Sequence, residues 1–159
     1  MKRGLMFTIL AALLAVDQAL KLLASRFLSQ REPIVLIKGF IRLNYSENTG
    51  ASFGMLKDKP YILFIFNIIV LFLMLYFLFF KGIKNRVYEF CLLLVVSGGV
   101  GNIIDRVLRG FVVDFIEPTF INFAIFNFAD SAITVGSVSL LLYLIYETLI
   151  ELKKESHDR

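Results

Sequence analysis

Four apolar runs, each close to twenty residues long, constrain this chain more than any other feature of it. They are Gly4–Ala24, Tyr61–Phe80, Val87–Leu108 and Asp130–Ile150. A helix of about 20 residues crosses the roughly 30 Å hydrocarbon core of a bilayer. Apolar residues make up 58% of the 159-residue chain and the mean hydropathy is +0.76, against about 45–50% apolar in an ordinary soluble domain. The expectation is an all-α membrane protein with four transmembrane helices, forming a single domain over residues 1–159.

The first run opens as a cleavable signal peptide would, with "MKRGLMFTILAALLAV", but it continues into "DQALKLLAS". Asp17 and Lys21 stand there at i and i+4, share a helix face and can pair, so the segment reads as a retained span. Cations set the orientation. Lys2 and Arg3 at the start, Lys81, Lys84 and Arg86 in "KGIKNR", and Lys153, Lys154 and Arg159 in the tail place both termini in the cytoplasm. Arg26, Arg31, Lys38, Arg42, Lys57 and Lys59 oppose this, but they lie in a long segment that reads as folded. The net charge of +4 is accounted for by topology and calls for no nucleic acid.

That segment, about residues 25–60, changes texture. "IVLI" and "FIRLNY" are β-branched and aromatic, with Gly39 and "NTG" as turns. They predict a small β-rich extracytoplasmic cap between the first and second helices. Between the third and fourth spans, "RGFVVDFIEPTFINFAIFNF" is apolar but broken by Asp114, Glu117 and Pro118. It reads as an interfacial segment whose aromatics suit the headgroup region.

Several chemistries are excluded by residue type. The one histidine, His157, lies in the charged tail, so no Ser-His-Asp or Cys-His site can form within the membrane. Cys91 stands alone among Phe90, Leu92 and Leu93 and reads as a small core residue. No CxxC or His-rich spacing offers a metal site, and no cofactor is expected. What remains is a set of polar residues at the outer ends of the spans. Asn102, Asp105 and Arg106 stand at i, i+3 and i+4 behind the small residues Gly98, Gly99 and Gly101. A packing motif closed by an interfacial Asp–Arg pair explains that stretch as well as a site does. Asn127 and Asp130 are i and i+3, and both residue types also start helices. Asp114 and Asp130, however, flank the same outer face. Two carboxylates crowded away from water separate in pKa, which supplies a base to activate water and an acid for a leaving amine.

With these motifs in hand, the chain resembles the lipoprotein signal peptidases, or signal peptidases II, of bacteria. The resemblance is carried by "DQALK", "NTGASFG", "GGVGNIIDR", "VVDFI" and "FNFADSAI", in that order along nearly the whole chain. It implies a membrane aspartic endopeptidase of the cytoplasmic (inner) membrane that removes the signal peptide from diacylglyceryl-modified prolipoproteins, cutting just before the lipidated cysteine. Carried over by motif, Asp114 and Asp130 are the catalytic pair, at the outer face. Asp17, Lys21, Asn48, Asn102, Asp105, Arg106 and Asn127 line or shape the pocket. Membrane lipid and globomycin-type cyclic peptide inhibitors are the further expected partners, and a monomer suffices. The alternatives are a small proton-coupled transporter built around its membrane carboxylates, a Ser-Lys peptidase using Lys21 with Ser46, Ser52, Ser97 or Ser131, and a metal-dependent lipid phosphatase with Asp105, Asp114 and Asp130 as oxygen ligands.

Overall fold

The computed structural model of the chain describes residues 1–50, 60–80, 83 and 85–157. Ser52, Lys57, Lys59, Lys81, Lys84 and Arg159, with the "ASFG" half of the loop motif, lie outside the described residues. The elements are α1 (Arg3–Phe27), β1 (Ile34–Ile37), β2 (Ile41–Asn48), α2 (Pro60–Phe79), α3 (Arg86–Arg109), β3 (Val112–Pro118) and α4 (Phe128–His157).

The helix ends follow local chemistry. Pro60 opens α2, where a missing N–H costs nothing. Asn85 caps α3 by accepting the Val87 N–H at 2.8 Å. Gly110 ends the same helix in the left-handed region at φ 82°, a conformation open to glycine without penalty. Among the described residues, Arg3–Phe27, Arg86–Arg109 and Phe128–Lys154 are long and apolar enough to cross a bilayer, and Asn67–Phe79 within α2 is a shorter apolar helix. Their outer faces carry exposed Leu22, Phe72, Val107, Leu108, Leu142 and Leu149, a surface suited to lipid rather than water. The fourth helix continues past Ile150, so the charged tail adds turns to α4 rather than hanging free.

Helices α3 and α4 pack closest, through glycine. A Cβ on Gly98 would come within 2.3 Å of the Ala129 carbonyl oxygen, and one on Gly136 within 2.7 Å of the Cys91 carbonyl oxygen. Cys91 is buried there as a packing residue. Met6, Leu78, Leu93 and Val96 form one core between α1, α2 and α3. Ala24, Leu28, Val113 and Phe115 form a second, between α1 and β3.

The β-rich expectation needs correcting in one respect. Within the segment between α1 and α2, β1 and β2 form a hairpin, turning through Gly39 at φ 74°. The sheet has a third strand, however, and it comes from between α3 and α4. Val112–Pro118, which lies in the stretch read only as an interfacial segment, pairs antiparallel with β2 in a register that sets Ser46 opposite Asp114 and Asn48 opposite Val112. Its acidic residues do not interrupt the strand. Arg42 of β2 binds Glu117 through two hydrogen bonds of 2.6 and 2.7 Å, and Asn44 adds a third at 2.8 Å. Those bonds hold the Glu117 carboxyl below the usual carboxylate range.

Candidate active site

Asp114 sits in mid-strand on β3 and is 2% exposed. Its Oδ1 accepts from Asn127 Nδ2 at 2.7 Å and its Oδ2 from Asn48 Nδ2 at 2.9 Å. Burial pushes its carboxyl up to about 6, and the charge of Asp130 adds to this, while the hydrogen bonds from Asn48 and Asn127 and the charge of Lys21 act against it.

Asp130 lies in the first turn of α4. Its backbone N–H donates to Asn127 Oδ1 at 2.9 Å, and its own Oδ2 accepts the Asn127 backbone N–H at 3.2 Å. This reciprocal exchange is a capping box with aspartate in the place usually taken by glutamate or glutamine. It points Asp130 back over the helix N-terminus, where negative charge is favoured. The other oxygen, Oδ1, accepts from Asn102 Nδ2 at 2.8 Å. Asn127 therefore touches both carboxylates, through its side chain on one and its backbone on the other.

Behind the pair lies a buried charge cluster. Lys21 Nζ is 2.9 Å from Asp17, 3.3 Å from Asp105 and 2.9 Å from Asn102 Oδ1. Gln18 donates to Asp17, to the Gly101 carbonyl and to Asp105. In front are two cavities, which share Arg106 and Asp130. One, of about 510 Å³, runs along Asn48, Ile125, Phe126, Ser131 and Val135; the other, of about 410 Å³, runs between α2, α3 and α4 past Leu71, Val95 and Ile133.

All nine residues singled out in the sequence thus gather around one centre, with one correction to their grouping. Asn102, Asp105 and Arg106 do not act as a single face. Asp105 turns inward to Lys21 and, at 3.8 Å, to Arg109, whereas Arg106 faces the cavities. The Asp105–Arg106 pair of the packing reading is not among the ion pairs of the described residues, and among those residues no three acids come together as one set of oxygen ligands. Nor, among the described residues, is Lys21 placed as a base for a serine. Its three N–H groups all have partners, while Ser97 and Ser131 donate to the Leu94 and Asn127 carbonyls. Gln18 was not singled out in the sequence; its place beside Asp17 in "DQALK" was the available signal.

The family model described as Signal peptidase (SPase) II matches residues 9–146. The chain belongs to that family. Among its relatives, a lipoprotein signal peptidase of Clostridium tetani is 37% identical over 87% of this chain and 91% of its own length. Another, from Enterococcus faecalis, is 38% identical over 89% of this chain and 88% of its own. A solved bacterial membrane enzyme, determined by the in meso method at 2.3 Å, superposes with a TM-score of 0.82 at 32% identity, covering 92% of this chain and 91% of that one. Signal peptidase II membership makes the chain a peptidase, and the apolar helices make it a bacterial membrane protein.

Proposed function

We propose that the chain is a membrane-embedded aspartic endopeptidase that frees diacylglyceryl-modified prolipoproteins of their signal peptide, cutting just before the lipidated cysteine. The observation that carries this is the joining of Asp114 and Asp130 through Asn127, with cavities opening beside Asp130. Asp130, fixed over a helix N-terminus, is the base; Asp114, in its drier setting, holds the proton.

In the first step Asp130 takes a proton from a water as the water oxygen bonds to the scissile carbonyl carbon. Asp114 gives its proton to the carbonyl oxygen, leaving a neutral gem-diol. In the second, Asp130 passes its proton to the amide nitrogen and the C–N bond breaks. Asp114 recovers a proton as the carboxylic acid product forms. The amine leaves on the lipidated cysteine, and the pair returns to its starting state.

The same reading covers topology. Four helices span the membrane with both termini in the cytoplasm, and the sheet and the aspartates lie at the outer face. There the signal helix presents its scissile bond. The cavity lined by Phe123, Phe126 and Val135 suits an acyl chain or a globomycin-type cyclic peptide. A single chain carries the whole site.

The test is cleavage of a diacylglyceryl prolipoprotein by purified wild-type, Asp114→Asn and Asp130→Asn enzymes. Each variant keeps shape and loses a proton-transfer group, so kcat should fall at least about 10²–10⁴-fold, with substrate still bound. Near-normal turnover in either variant would refute the mechanism.

A further inference from the structure

We infer that Lys21 is a positioning residue that sets the separation of Asp114 and Asp130 by way of two buried carboxylates. The inference rests on those aspartates being the catalytic pair. Lys21 is wholly buried, as is Asp105, and Asp17 is 2% exposed. One ammonium, with three N–H donors, meets Asp17 Oδ2, Asp105 Oδ2 and Asn102 Oδ1.

Both carboxylates also grip the backbone, at two chosen places. Asp17 Oδ1 accepts the N–H of Ala129 at 3.1 Å, and Asp105 Oδ2 accepts the N–H of Val113 at 3.1 Å. Ala129 immediately precedes Asp130, and Val113 immediately precedes Asp114. The third arm runs through Asn102, whose Nδ2 donates to Asp130 Oδ1 at 2.8 Å. One side chain on α1 is thereby linked to the start of α4, to the start of β3 and to the carboxylate of Asp130 itself. Charge neutralisation alone would need only the ion pairs. It gives no reason for each partner acid to hold the residue next to a member of the pair. The arms are short and buried, so a change at Lys21 is passed on as a shift in the distance between the two aspartates. A misplacement of about 1 Å in a reacting geometry can cost about 10²-fold in rate.

Two perturbations separate this from a purely stabilising role. The first replaces the cluster by a neutral one, Lys21→Met with Asp17→Asn, Asp105→Asn and Arg109→Gln, which removes both ion-paired cations together with both carboxylates and keeps an oxygen for each backbone N–H. The second, Gly101→Ala, changes no charge but brings a Cβ within 2.4 Å of Asp17 Oδ2, displacing one arm. Both are assayed as folded protein, selected by size exclusion and thermal unfolding in detergent, for kcat, KM and the pH profile of kcat/KM.

The expected result is a kcat reduced about 10–100-fold with KM changed less than about threefold, and a displaced pH profile, because the spacing of the pair sets both its rate and its shared titration. A folded variant of either kind with the wild-type kcat and pH profile would overturn the inference. So would failure of both to fold, which would assign the cluster to stability alone. Asp114→Asn and Asp130→Asn run alongside as controls. If they remain active the catalytic pair is wrong, whereas if they are dead while the cluster variants are normal, only the role of Lys21 is wrong.

Discussion

Asp114 is the residue whose chemistry the fold alters most visibly. Its carboxyl rises from 3.8 to about 6 because it is buried, so between those pH values the folded state holds a proton that the unfolded chain has released. Its contribution to stability is fully present below about pH 3.8 and is lost as the pH rises through about 6. The stability of the wild type relative to Asp114→Asn should therefore fall across that window and level off above it, as measured by thermal unfolding in detergent. Activity should carry the same signature. kcat/KM, which reports the free enzyme, should decline as the pH rises above about 6, while the limb in kcat should lie higher because bound substrate excludes water. The polar side chains of the site were legible one by one, since each sits in a short motif of uncommon residues inside an apolar chain. Their wiring was not. The bonds from Asp17 to Ala129 and from Asp105 to Val113 end on backbone N–H groups, which every residue but proline owns and which leave no mark in a sequence.

At the level of elements, run length placed the helices to within a few residues except at the end of α4, which continues past Ile150 to His157. Lipid imposes both a minimum length and an unbroken apolar composition but sets no limit on a helix that leaves it. β3 escaped the same reading. Asp114 and Glu117 looked like interruptions of an apolar stretch, whereas one is a buried site residue and the other is neutralised by Arg42 across the sheet. The glycines of α3 carried information that composition could not rank. Gly98 faces the backbone of Ala129, which cannot yield unless the first turn of α4 moves, and Asp130 with it. Gly98→Ala should cost about 1–3 kcal/mol of stability and lower kcat. Gly99→Ala should be nearly silent in both, because its Cβ would meet only the end of Leu71, at 3.2 Å. Unfolding curves and turnover on the two purified variants would check the contrast.

For the whole molecule, the proposed topology puts the sheet and the charged tail on opposite sides of the bilayer. Single cysteines at the exposed positions Arg31 and Lys153 should react with an impermeant maleimide from outside and only after permeabilisation, respectively; reaction of both from the same side would overturn the arrangement. Cys91 is buried and should stay silent. The pairing of Asp17 with Lys21 inside α1 also bears on how the protein is made. A ribosome delivers α1 to the membrane well before α3, and 81 residues separate Lys21 from Asn102. During that interval neither Asp105 nor Asn102 is present to receive the ammonium. A lone charge at such a depth would add roughly 2.5–3.5 kcal/mol to the cost of insertion. Because its counter-ion stands one turn away on the same helix, α1 enters the lipid carrying a dipole rather than a charge. When α3 follows, Asp105 brings Arg109, one turn on. Both acids of the cluster thus arrive already paired, and it is completed in the bilayer by joining the two pairs rather than by burying a bare ion.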